Sequence, residues 1–180
     1  MNKYECIFLD RDGTLNSDPG YINKVNNFKF YNFTIPALKK LSAEGFQFII
    51  VTNQSGLARG IIKYEDFNKI NKYIIDEFQN YQINLLDIIF CPDHPNYATN
   101  RRKPGPGMFL EAKRKYDVNL MDCLMIGDSK IDVIAAEFLG MDMMLVLTGN
   151  GKQAFNDLKQ YHRITYVVEN LKKGAELLCH

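Results

Sequence analysis

The sequence predicts an α/β fold, a three-layer, Rossmann-like parallel sheet flanked by helices on both faces. Three observations carry that reading. Short apolar runs alternate with amphipathic stretches along the chain. The runs are apolar throughout, as strands covered on both faces are. Polar, glycine-bearing segments follow the runs: "DRDGT" the first, "TNQSG" the second, "CPDHP" the third and "GDSKID" the fourth. In open parallel sheets, ligands bind beyond the carboxyl ends of the strands, so these segments mark a convergent site.

Six strands are expected, at "CIFL" (6–9), "FQFIIV" (46–51), "LLDIIF" (85–90), "CLMI" (123–126), "MMLVL" (143–147) and "ITYVV" (164–168). Each is followed or preceded by an amphipathic candidate, at 34–44, 64–79, 106–116, 130–139, 151–160 and 169–178. The third of these begins near Pro106, a residue suited to the first turn of a helix. The fourth follows a tight glycine turn in which Asp128 or Ser129 can cap the helix. The methionines of "MDMML" read as strand core.

With 180 residues, 46 % of them hydrophobic, the chain can bury one good core, so residues 1–180 are expected to form a single domain. No repeat, low-complexity tract or linker divides it. Lysine and arginine number 22 against 21 acids, a formal charge of +1, which gives no bulk reason to expect nucleic acid or an anionic membrane as partner. The four cysteines, at 6, 91, 123 and 179, are scattered and do not form a disulfide framework. No signal-peptide pattern is present, and no apolar run approaches the roughly 18 residues needed to span a bilayer. A cytoplasmic monomer acting on a small molecule is the expectation. His162 and His180 show no partner pattern and are left out of the site.

Asp10 and Asp12 stand two residues apart where the first strand ends, so their side chains point to one side. Such a pair suits metal binding, or a nucleophile with an acid/base partner, or a capped turn before Gly13. Asp128 can share a hard cation with Asp10, and an oxygen-only ligand set favours magnesium. "VTNQSG" offers a hydroxyl, an amide and small residues whose N–H groups can face an anion. Lys103 precedes the rigid "PGPG" segment. Together the parts describe phosphoryl transfer. An aspartate nucleophile and a phosphate dianion repel by roughly 4 kcal/mol per unit-charge pair at about 4 Å and an effective dielectric near 20. A magnesium ion and Lys103 would offset that repulsion.

"DRDGT", "TNQSG", "RKPGPGM" and "GDSKID", in this order after successive strands, resemble the four motifs of the haloacid-dehalogenase-like (HAD) phosphatase superfamily. The resemblance spans residues 5–148. It implies that Asp10 attacks phosphorus to form an aspartyl-phosphate, while Asp12 protonates the leaving alcohol and then activates water. Thr52 and Lys103 would hold phosphoryl oxygens. Magnesium would be bound by Asp10, the backbone carbonyl of Asp12 and the carboxylate of Asp128, with Asp132 orienting Lys103. The first motif reaches the second in about 40 residues with one helix between, so no large cap domain is expected.

A finer resemblance is to the D-glycero-D-manno-heptose-1,7-bisphosphate 7-phosphatases of the ADP-heptose and lipopolysaccharide pathway. It rests on "NSDPGYINKVNNFKFYNFTIPALKKL", "TNQSGLARG" and "RRKPGPGM". It implies a phosphorylated sugar as substrate, recognised by Asp18, Pro19, Gly20, Tyr21 and Arg102, with Asn53, Gln54 and Ser55 nearby. One segment departs from that pattern. Family members carry a C-x-H…C-x-C zinc loop here, whereas this loop reads "CPDHPNYATNRRKP". Cys91 matches, but Asp93, Thr99 and Arg101 stand at the other three ligand positions. With only Cys91 and His94 as good ligands, a four-ligand zinc site cannot be assembled, and no zinc is expected. The changed loop leaves histidinol-phosphate phosphatase and polynucleotide 3′-phosphatase as alternative activities. A phospho-accepting signalling domain also uses a strand-end aspartate and magnesium, but has no need of an acid/base at Asp12.

Overall fold

The structure, a computed structural model, describes residues 3–158, 160 and 162–179. Six strands form one parallel sheet: β1 (Cys6–Leu9), β2 (Phe48–Asn53), β3 (Leu85–Cys91), β4 (Cys123–Gly127), β5 (Asp142–Val146) and β6 (Tyr166–Val168). Among the described residues, six helices connect and follow them: α1 (Thr34–Ala43), α2 (Tyr64–Asn80), α3 (Gly107–Tyr116), α4 (Lys130–Leu139), α5 (Gly151–Leu158) and α6 (Leu171–Leu178). Strand order is β3-β2-β1-β4-β5-β6, so the chain reverses direction across the sheet on either side of β1. That reversal opens a crevice at the carboxyl ends of β1 and β4.

The period of two along each strand sorts the core into two layers. Ile7 and Leu9 of β1, Ile50 of β2 and Ile126 of β4 face α1, α2 and α6, whose Leu38, Ile74 and Leu171 complete that cluster. Cys6 and Phe8, Ile49 and Val51, and Met125 face α3, α4 and α5 through Phe109, Val133 and Ala154. Both faces of the central strands are thereby dry, which is why their sequences are apolar without alternation. Met143 and Met144 of β5 divide between the two layers as core residues.

The boundaries shift in ways that matter for the site. β2 was expected at 46–51 but runs Phe48–Asn53, because Gly45 in the left-handed region and Phe46, bonded back to Leu41, close α1 instead. Its last residues, Thr52 and Asn53, are therefore held rigidly by pairing with Phe90 and Cys91 of β3. β6 begins at Tyr166 instead of 164, since the Thr165 hydroxyl accepts the Met143 N–H at 3.1 Å in place of a backbone partner. α5 ends at Leu158; Lys159, within the expected helix, and His180 lie outside the described residues.

Between β1 and β2 lies a loop, residues 10–33, containing a short 3-10 turn and isolated bridges from Asn16 to Asp12 and Phe30, then α1. Phe28 and Phe30 anchor the loop against Tyr73 of α2, and Phe30 also stacks on Phe78. No cap domain is inserted there, so the crevice stays open. Among the described residues, no helix is long and apolar enough to cross a membrane.

Candidate active site

Asp10 continues β1 by one residue, its N–H bonding the Ile126 carbonyl at 2.9 Å. The Asp10 carboxylate takes a hydrogen bond from Lys103 Nζ at 2.7 Å. The same ammonium reaches Asp132 Oδ1 at 2.7 Å and the Val51 carbonyl at 2.8 Å, so all three of its protons are used. Asp132 sits in the first turn of α4, and its other oxygen accepts the N–H of Ser129, the residue preceding the helix, at 3.1 Å. Both oxygens of Asp132 are thus committed to holding Lys103 and the helix start.

Asp128 leaves β4 beside them. Its Oδ2 accepts the Asn150 N–H at 2.7 Å. Two glycines make room for it: Gly13 (φ +86°) and Gly149 (φ +50°), where an added Cβ would lie 2.2 and 2.1 Å from that oxygen. Any side chain there would displace the carboxylate, and both backbone conformations also favour glycine.

Oxygens of Asp10, Asp128 and Asp132 lie within 4.8 Å of one another. Against these three carboxylates stands one ammonium, so two negative charges are uncompensated in a buried place. The electrostatics show the imbalance. Burial pushes the Asp10 carboxyl well above its usual range, opposed by Lys103 and reinforced by Asp132 and Asp128. Burial, then Asp132, pushes Asp128 up to about 6. Burial alone would lower Lys103, but Asp10 and Asp132 outweigh it and raise the ammonium's pKa, so Lys103 stays charged. A site of oxygen donors lacking two positive charges fits a hard divalent cation, and Asp10 and Asp128 are the carboxylates with oxygens to spare.

Asp12 is held differently. Arg11 meets it in a fork, Nε to Oδ1 at 3.0 Å and a terminal nitrogen to Oδ2 at 2.6 Å. Asn16 donates to Oδ1 at 2.9 Å and Gln54 to Oδ2 at 2.8 Å. Burial alone would raise this carboxyl; Arg11, then Asn16 and Gln54, hold it below the usual range. Arg11 is buried, with its guanidinium 5.8 Å from the Phe28 ring centroid. Sequence reading missed Arg11 and Asn16. The available signal was a cation between two acids at the end of a buried strand.

A cavity of about 340 Å³ opens over these groups. Of the residues expected at the site, Asp10, Asp12, Thr52, Lys103 and Asp128 line it, as do Asp18, Gly20, Tyr21, Asn53, Gln54, Ser55 and Arg102. Asp132 lies behind Lys103. Pro19 is exposed and does not line the cavity; it sits in the turn closed by the Gly20 N–H on Asp18 Oδ1 at 2.9 Å. Asn53 spends its amide on the backbone of Lys103, donating at 3.0 Å and accepting at 3.1 Å. Gln54 likewise spends its N–H groups on Asp12 and on Thr52 Oγ1 at 2.9 Å. Both amides are supports for neighbouring groups. Ile62, Ile131 and Asn150 also line the cavity and were not foreseen.

Residues 100–174 match the family model described as HAD-hydrolase-like. Fold, cluster and match place the chain among HAD-like hydrolases, and its relatives, named phosphatases, make it an enzyme that hydrolyses phosphoric monoesters. The chain is 34 % identical over 180 residues to D-glycero-beta-D-manno-heptose-1,7-bisphosphate 7-phosphatase of Pasteurella multocida, covering 97 % of this chain and 96 % of that protein. It is 35 % identical over 162 residues to the enzyme of the same name from Photorhabdus laumondii, covering 86 % of each. A crystal structure of D,D-heptose 1,7-bisphosphate phosphatase from B. bronchiseptica, complexed with magnesium and phosphate, superposes with a TM-score of 0.89 at 32 % identity over 97 % of each chain. The chain belongs to the heptose-1,7-bisphosphate 7-phosphatase family.

Proposed function

We propose that this protein is a magnesium-dependent phosphatase that removes the 7-phosphate of D-glycero-D-manno-heptose 1,7-bisphosphate, in the ADP-heptose pathway of lipopolysaccharide precursors. The observation that supports it most is the Asp10–Lys103–Asp132 chain beside Asp128, at the floor of an open cavity that also holds Asp12.

In the proposed reaction an Asp10 carboxylate oxygen attacks phosphorus and the bond to the sugar oxygen breaks. The leaving oxygen takes a proton from Asp12, giving the alcohol and an aspartyl-phosphate on Asp10. Asp12, now a carboxylate, takes a proton from water as the water oxygen attacks the phosphoryl group. Phosphate departs and Asp10 and the protonated Asp12 are restored. The four donors on Asp12 favour its ionised form before substrate binds. An arriving phosphate dianion supplies the like charge that favours the protonated one. Thr52 and Lys103 would face the phosphoryl oxygens, Lys103 through a charge held in place by Asp132 and the Val51 carbonyl while its proton on Asp10 turns to the phosphoryl group. Magnesium, held by Asp10, the Asp12 carbonyl and Asp128, would neutralise the carboxylates and withdraw charge from the phosphoryl group.

Arg102, Asp18 and Tyr21 lie at the rim, where the remainder of a sugar phosphate would extend. Relatives named for either anomer match this chain, so assays should include both. Phosphorus NMR of the bisphosphate turning over in magnesium should show loss of the C7 signal with the C1 phosphate retained. Loss of the C1 signal first, or no turnover of either anomer, overturns the substrate assignment.

A further inference from the structure

From residue 93 to residue 102 the chain forms a surface loop that returns to the cavity at Arg102. Its side chains lie mostly in water, yet it is closed by a compact set of bonds. Asp93 Oδ2 accepts both the Thr99 hydroxyl at 2.6 Å and the Thr99 N–H at 2.8 Å. The Thr99 hydroxyl oxygen in turn accepts the Arg101 N–H at 3.2 Å, and the Thr99 carbonyl accepts the Arg102 N–H at 3.3 Å. The Asp93 carbonyl accepts from the Arg102 guanidinium at 3.1 Å. One residue, Asp93, thus fixes the loop with its side chain and Arg102 with its backbone.

Both ends of the loop are tied to the site. The Cys91 carbonyl accepts the Gln54 N–H at 2.7 Å, and Lys103 follows Arg102 directly. Arg101 spans the base, its Nε on the Phe90 carbonyl at 3.1 Å and its terminal nitrogen paired with Glu111 of α3. An arginine side chain left free on a surface loses rotamer freedom when a ligand orders it, which weakens binding. Here one guanidinium nitrogen is already committed to Asp93, and Arg102 lines the cavity with its remaining donors available for a second contact.

We propose that the Asp93–Thr99 clasp is a positioning device for substrate selection: it pre-orients Arg102 for an anionic group of the substrate other than the phosphate undergoing transfer. The role rests on the phosphatase reading above. Asp93 and Thr99 touch no reacting atom. They set how well a bisphosphorylated sugar binds and leave the chemical step alone. A substrate with a single phosphate and no second anion gains nothing from the clasp.

The test compares wild type, Thr99→Val, Asp93→Ala and Asp93→Asn on heptose 1,7-bisphosphate and on p-nitrophenyl phosphate, with magnesium. Thr99→Val and Asp93→Ala should raise KM for the bisphosphate about fivefold, the worth of one net hydrogen bond, with kcat unchanged. Asp93→Asn keeps an acceptor oxygen for Thr99 and should restore the wild-type KM. None should change kcat/KM for p-nitrophenyl phosphate. In an Arg102→Ala background, Thr99→Val should add no further loss, since the group it positions is gone. Equal KM values in all variants, or equal losses on both substrates, overturn the clasp while leaving the phosphatase reading standing. Wild-type turnover of p-nitrophenyl phosphate alone overturns the substrate assignment and the clasp together, and no turnover of either overturns the phosphatase reading itself.

Discussion

Asp128→Asn should make the metal-free protein more stable while removing its capacity to bind magnesium. In the folded chain the Asp128 carboxyl is raised to about 6 from an ordinary 3.8, chiefly by burial and by Asp132. Between those pH values the folded state holds the proton more tightly than the unfolded state, so stability falls as pH rises through the window. Above about 6 that loss is complete, and it corresponds to about 3 kcal/mol. Asparagine has nearly the same shape, and its oxygen can still accept the Asn150 N–H that Asp128 accepts at 2.7 Å. The variant should therefore melt roughly 6–12 °C above wild type at pH 7.5 in EDTA. At pH 4, where the wild-type carboxyl is protonated, the two melting points should converge. Magnesium should raise the wild-type melting point strongly and that of the variant little, with apparent affinity weakened at least about tenfold. A variant that melts below wild type in EDTA at pH 7.5 would refute the claim that Asp128 is a strained charge awaiting a cation.

Asp10→Asn should abolish turnover, because an amide is not a usable nucleophile, whereas Asp12→Asn, given p-nitrophenyl phosphate, whose leaving group departs without a proton, should still complete the first step and accumulate protein carrying one phosphoryl group, read by intact-mass spectrometry. Lys103→Met leaves Asp10 and Asp132 without their shared cation at a site where Lys103 is 2 % exposed. It should cost about 3–5 kcal/mol in urea unfolding and remove most activity. EDTA should abolish phosphate release and magnesium restore it. Elemental analysis of the purified protein should find no stoichiometric zinc, because the positions at Asp93, Thr99 and Arg101 offer no nitrogen or sulfur ligand set.

All six strands and six helices were legible in the sequence, because each central strand is buried on both faces and each helix carries one apolar stripe. What the sequence concealed were contacts set by tertiary geometry. Phe46 reads as strand because it is apolar, yet it closes the turn after α1; Thr52 and Asn53 read as loop because they are polar, yet they end β2. The carboxylates and Lys103 were legible because charges at strand ends in an apolar chain demand a use. The fork of Arg11 on Asp12 was not, since a basic residue in a turn is ordinarily solvated. Asn53 and Gln54 were legible as site residues but not as supports, because only the structure shows their amides spent on Lys103 and Asp12. The Asp93–Thr99 bonds likewise join residues six apart in a stretch without periodicity.

The central claim is an aspartate-based phosphatase selective for a heptose bisphosphate. Its most direct test is kcat/KM, with magnesium, for D-glycero-D-manno-heptose 1,7-bisphosphate against histidinol phosphate and a 3′-phosphorylated oligonucleotide. A preference for the heptose of at least about a hundredfold, roughly 2.7 kcal/mol of transition-state discrimination, is the predicted result. A preference for either competitor, or rates equal within about tenfold across all three, would contradict it.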